Sequence, residues 1–165
     1  MSAPTGIDGP SLVAALKDCG ITHVIWIPDS HLGKWDADLS NAPSIDLVRA
    51  CREGEAIGIA AGLILGGKKP IVLMQCTGFF EAGDALRNVV HDLHLPLFLV
   101  VGVRSYYDYQ CRRTQDTCPR FTEPIVRAWE IPYEVFERDR TADDLAASYR
   151  QSQASNQPKI ILLAE

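Results

Sequence analysis

Apolar and polar positions alternate along this chain in a way that predicts helices and strands in turn. Residues 12–20 (LVAALKDCG) repeat their apolar positions at helical spacing and stop on a glycine suited to a helix end. Residues 23–28 (HVIWIP) form a short apolar run closed by proline, as a buried strand would be. Residues 44–50 (SIDLVRA) predict a second strand, and 51–66 a helix crowded with glycine. A third strand falls within 68–78 (KKPIVLMQCTG), followed by one helix over 79–94. Residues 95–105 (LPLFLVVGVRS) are the most apolar strand candidate. Residues 106–123 (YYDYQCRRTQDTCPRFTE) show no period and predict a long loop. A helix over 124–130 and an extended stretch over 131–136 come next. A helix over 141–153 follows, behind a threonine cap with acids in its first turn. Residues 158–165 (PKIILLAE) close the chain as a strand.

The strands are apolar throughout rather than alternating, which requires burial on both faces. The expectation is therefore an α/β fold: one domain over 1–165, a mostly parallel sheet of about six strands, and helices on both faces. In such sheets ligands bind beyond the carboxyl ends of the strands. That rule alone gathers four segments, PDSH, RACREGE, QCTGFF and GVRSYY, on one edge, with Ser30, Glu53, Gln75, Thr77 and Arg104 among them.

Composition narrows the function classes. The chain has 165 residues, 47% of them hydrophobic and 22% charged, which suits a globular domain with a real core. Its net charge of -5, without a basic run, argues against nucleic acid. No apolar run is long enough for a membrane span, and the first residues do not read as a signal peptide. Five scattered cysteines without a CxxC pair suggest neither a disulfide framework nor a zinc site, which favours a cytoplasmic setting. His91 and His94 form an HxxH pair lacking a third ligand, so no metal site is expected in this chain.

Within CREGEAIGIAAG, Gly54, Gly58 and Gly62 recur every four residues and so lie along one helix face. Each costs a helix about 1 kcal/mol relative to alanine. The stripe either packs closely on the domain's own sheet or a neighbouring helix, or leaves room for a flat ligand or a second subunit. Glu53 opens that helix. A first-turn glutamate often only complements the helix dipole. Its place here, between a short strand and a helix of small residues, also suits a functional carboxylate.

The order of these segments carries a resemblance. REGEAIGIAAG resembles the stretch bearing the activating glutamate in the pyrimidine-binding domain of thiamine diphosphate enzymes. IPDSHL resembles the turn after that domain's first strand. MQCTGFFEAGDAL resembles the MQxSGxGNxxNxL stretch of its phosphonopyruvate and sulfopyruvate decarboxylase branch, and LPLFLVVGVRS the next strand and turn. In the sulfopyruvate type this domain is a separate alpha subunit of about this length. The resemblance implies that Glu53, which precedes Gly62 as the family's glutamate precedes its glycine, hydrogen-bonds N1′ of the cofactor's aminopyrimidine. It thereby favours the imino tautomer that removes the proton from C2 of the thiazolium. Glu55 corresponds to a variable position.

The same resemblance assigns further roles. Gln75, Thr77, Gly78 and Phe79 line the pyrimidine pocket. Ser30 contacts the substrate carboxylate or else caps the next helix. His31, which departs from the branch's aliphatic residue, is a substrate contact, a catalytic acid or a structural histidine. Arg104 binds an acidic substrate group or solvates a loop. Phe79, Phe80 and Asp84 depart from the pattern. The diphosphate normally hangs on a metal held by GDG and a downstream asparagine, but this chain has only Gly83-Asp84-Ala85, inside a predicted helix. Mg2+ and the diphosphate should therefore be held by a beta subunit carrying that motif, in a hetero-oligomer such as α2β2 or larger. The implied activity is decarboxylation of a 2-oxo acid. Two alternatives stay open at this point. One is a carboligase or lyase acting on an aromatic substrate, suggested by Trp35, Phe79, Phe80, Tyr106 and Tyr107. The other is a non-catalytic regulatory domain of the same fold.

Overall fold

The computed structural model describes residues 6–30 and 32–165. Six strands form one sheet: β1 (His23–Trp26), β2 (Asp46–Arg49), β3 (Pro70–Gln75), β4 (Phe98–Val103), β5 (Tyr133–Phe136) and β6 (Lys159–Ala164). Their order is β2-β1-β3-β4-β6-β5, and every neighbouring pair is parallel. The expected α/β class and strand number are thus observed. So is the double-sided burial: every residue of β4 is buried, as is all of β3 but its last.

Alternate residues of each strand enter two separate cores. Val24, Trp26, Ile71, Leu73, Val100 and Leu163 pack under α1 (Gly9–Asp18), α2 (Asp36–Ser40) and α8 (Ala142–Ser155). Ile25, Val72, Met74, Leu99, Val101 and Leu162 pack under α3 (Glu53–Leu65), α4 (Cys76–Glu81), α5 (Gly83–Arg87) and α7 (Cys118–Ala128). The threonine cap holds as expected. Thr141 accepts from the Asp144 N–H while Asp144 reaches back to the Thr141 N–H, a reciprocal capping box.

Three expectations change. The helix expected over 79–94 starts earlier, at Cys76, breaks at Ala82, and ends in a π-helical turn over Asn88–Asp92. The long loop contains α6 (Tyr106–Gln110), and α7 begins at Cys118 rather than residue 124. Pro119 disguised that start, yet proline is well tolerated in a first turn, where its missing N–H has no partner to lose. A short 3₁₀ turn, Leu32–Trp35, and α2 fill a span to which no element had been assigned. Trp35 there is fully buried, and its indole N–H donates to the Ile7 carbonyl at 3.0 Å.

Candidate functional site: a carboxylate at the switch point

From β1 the chain winds outward to β2, then returns to the other side of β1 as β3. The crevice at the carboxyl ends of β1 and β3 is therefore the topological switch point, where open α/β sheets bind their ligands. Three segments meet there: 27–30 after β1, 50–53 after β2 and 75–78 after β3.

Glu53 is the first residue of α3 and half-buried. Its side chain lies against the backbone of Gly78 in α4. A Cβ built on Gly78 would stand 2.1 Å from Glu53 Oε1 and 2.2 Å from Cδ. Gly78 is thus glycine because the Glu53 carboxylate occupies the space a side chain would need. Glu55, by contrast, spends its carboxylate locally, accepting from the Cys51 N–H at 3.1 Å. The Glu53 side chain makes no hydrogen bond or ion pair among the described residues. The acidic pair therefore divides its work: Glu55 closes the start of the helix, and Glu53 presents an uncommitted carboxylate.

Glu81, on the last turn of α4, holds the same helix start. It accepts from the Gly54 N–H at 3.1 Å and from the Arg52 guanidinium at 2.6 Å. Those two donors, Arg52 first, keep its carboxyl below the usual carboxylate range. Sequence reasoning missed Glu81. The available signal was its place in MQCTGFFE, where the MQxSGxGN pattern has asparagine.

The remaining candidates are spread along the edge. Gln75 is half-buried at the end of β3 and accepts from the Thr77 hydroxyl at 3.1 Å. Phe79 is 1% exposed, so its ring belongs to the core. Ser30 is exposed, and it is Asp29 that caps the next turn, accepting from the Leu32 N–H at 2.9 Å. His31 lies outside the described residues. Arg104, beyond the end of β4, donates through Nε to Asp116 at 2.8 Å. Asp116 also accepts from the Ser105 hydroxyl and from the Cys118 N–H, tying the 104–118 segment down. Ser105 sits there in the left-handed region at φ 60°, a conformation sustained by these bonds. Burial pushes the neighbouring Cys76 thiol well above its ordinary value. Asp84 lies inside α5 and bonds to Arg87 and Asn88 of its own helix region.

On the outer side of α3, Gly58 and Gly62 are exposed, and a Cβ on either would meet nothing within 4 Å. The buried face of that helix is Ala56, Ile57, Ala60 and Ala61. Gly54 is different: it is half-buried, and a Cβ there would meet Glu81 of α4 and Ala85 of α5 at 3.7 and 3.8 Å, so the stripe lies against neighbouring helices at its start and is open beyond it.

Residues 9–123 match the family described as the thiamine pyrophosphate enzyme N-terminal TPP binding domain, and the chain belongs to that family. Its relatives include the sulfopyruvate decarboxylase alpha subunit of Methanothermobacter thermautotrophicus, 29% identical over 123 residues and 74% of each chain. The alpha subunit from Methanocaldococcus jannaschii is 30% identical over 118 residues, 72% of this chain and 69% of that one. Phosphonopyruvate decarboxylase of Streptomyces viridochromogenes is 24% identical over 90% of this chain but only 37% of its own. Among solved structures, the fold matches 4-hydroxybenzoylformate decarboxylase of Rhodococcus jostii RHA1 and benzoylformate decarboxylase of Polynucleobacter necessarius. Each gives a TM-score of 0.67 at 19% identity, covering 98% of this chain. The chain spans 30% of each of those proteins, and the likeness is one of fold. Among the described residues, no helix is long and apolar enough to cross a membrane.

Proposed function

We propose that this chain is the pyrimidine-binding alpha subunit of a split thiamine diphosphate-dependent decarboxylase acting on sulfopyruvate or a closely similar anionic 2-oxo acid. The observation that carries the proposal is the Glu53 carboxylate, uncommitted, half-buried at the switch point and cradled by Gly78. Such a group suits a protonated ring nitrogen of the cofactor's pyrimidine. When bound, thiamine diphosphate supplies the electron sink for loss of carbon dioxide.

This chain's part is to hold and exchange one proton at the Glu53 carboxylate. Glu53 offers that carboxylate from the first turn of α3, half-buried against Gly78. Gln75 and Thr77, at the start of α4, are the amide and hydroxyl proposed to orient the ring. Ser30, His31 and Arg104 are the groups proposed to meet the substrate's acidic ends. Asp84 is engaged within its own helix region, so the diphosphate and Mg2+ are assigned to a beta subunit carrying GDG and its asparagine. Gly58 and Gly62, on the exposed side of α3, are the proposed contact with that partner, because glycine lets a second backbone approach closely. Trp35 and Phe79, two of the aromatics that suggested an aromatic substrate, are core residues, which removes much of that alternative's support.

The test is reconstitution. The purified chain alone should release no carbon dioxide from sulfopyruvate with thiamine diphosphate and Mg2+, and a GDG-bearing partner should restore turnover. Decarboxylation by the chain by itself would defeat the split-site proposal.

A further inference from the structure

We infer that Glu81 is a positioning residue for Glu53, fixing the start of α3 so that the carboxylate stands at one place over the switch point. The inference rests on the role proposed above for Glu53.

Glu53 is the first helical residue of α3, so the direction of its side chain is set by where that helix begins. Helix starts fray unless their free N–H groups are satisfied. Arg52, in the capping position, offers no side-chain bond of its own to do this. Glu81 supplies it from another element: its Oε2 takes the N–H of Gly54, the residue next to Glu53, at 3.1 Å. Its Oε1 takes Arg52, the residue on the other side, at 2.6 Å. Both flanks of Glu53 are thus held by one carboxylate.

The same short helix supplies the cradle. Gly78 and Glu81 are three residues apart on α4 and share a face. One end of that face makes room for the Glu53 side chain, and the other pins the backbone that carries it. The MQxSGxGN pattern has asparagine where Glu81 stands. An amide can accept the Gly54 N–H but cannot form the ion pair with Arg52. The carboxylate in this chain performs both tasks.

Two readouts test this, one free of any assumption about function. In the chain alone, Glu81→Ala should speed amide hydrogen exchange at Gly54 severalfold. Glu81→Gln, which keeps an acceptor, should return it most of the way. In the assembled enzyme with thiamine diphosphate as the probe, deuterium exchange at the cofactor's C2 reports pyrimidine activation without substrate. Glu81→Ala should slow that exchange about tenfold to a hundredfold, the scale expected of a misplaced group. Cofactor affinity should stay within a fewfold of the parent, and Glu81→Gln should recover most of the rate. Wild-type C2 exchange in Glu81→Ala, with Gly54 exposed, would overturn the inference. Equal loss in Glu81→Gln and Glu81→Ala, with Gly54 protected in the former, would also overturn it. Glu53→Gln is the reference: if it leaves C2 exchange unchanged, the proposed role of Glu53 fails, a result distinct from either of those.

Discussion

Replacing Gly78 with alanine adds one methyl group at the position where the fold and the site meet. The three atoms nearest that methyl would all belong to Glu53: Oε1 at 2.1 Å, Cδ at 2.2 Å and Cγ at 2.2 Å. Ordinary side-chain contact needs more than 3 Å, so Glu53 must retreat by about 1 Å or change rotamer altogether. The fold itself should tolerate the change. Gly78 lies within α4, where alanine is favoured by about 1 kcal/mol, and the collision is with a movable side chain rather than with backbone. The expected result is a melting temperature for the chain alone that is unchanged or slightly raised. In the reconstituted complex, kcat for sulfopyruvate should fall by about 10²-fold or more, since a 1 Å misplacement carries that scale of loss. Adding Glu53→Gln to Gly78→Ala should cost little more than the worse single change, because both remove one interaction. A folded Gly78→Ala complex with activity within about threefold of the parent would refute the claim that this placement of Glu53 is the working one.

Glu53→Gln should lower turnover by about 10²–10⁴ while Glu55→Gln stays close to the parent, as steady-state rates of the two complexes will show. The opposite ranking would exchange the roles of the two acids. A Cβ at position 58 meets nothing within 4 Å and Gly58→Leu replaces a poor helix former, so by thermal melting the chain alone should be stabilised by about 1 kcal/mol, a shift of roughly 2–4 °C. Partner association, measured by sedimentation, should weaken. Burial first, and then the Asp29 charge, push the Glu165 carboxyl up to about 8 against Lys34's pull, so the folded chain holds that proton more tightly than the unfolded chain does. Its contribution is then complete below the ordinary value of 4.5 and is lost as pH rises through about 8. Glu165→Gln should flatten the fall in stability between those limits, as denaturant titrations at a series of pH values will show.

The strands were legible because burial on both faces leaves β3, β4 and β6 apolar but for Gln75 and Lys159 at strand ends, a pattern that survives without neighbours. Glu53 was legible because the segments around it keep a known order. Other features depend on contacts distant in sequence. Glu81 lies 27 residues beyond Gly54, and a glutamate on a short helix looks like any surface charge until α3 is placed beside it. The start of α7 was masked by Pro119 and by a run of charged and hydroxyl side chains whose helical face packs only after folding. Asp116 likewise reads as a loop acid, although it holds Arg104, Ser105 and the first turn of α7 together. The break at Ala82 and the π-helical turn at Asn88–Asp92 left the apolar spacing of 79–94 close enough to helical to read as one helix.

The strand order also governs how the chain can be made. β6 is inserted between β4 and β5, and among the described residues β5 pairs with no other strand. As the chain is synthesised from its amino terminus, β5 must wait beside an incomplete sheet until residues 159–164 emerge. α1 waits too, since Leu12 and Leu16 share their core with Leu145, Ala146 and Tyr149 of α8. The earliest helix and the latest elements therefore close on one another as a single event. A chain halted before residue 159 would keep every residue proposed for the site and still lack the means to finish folding.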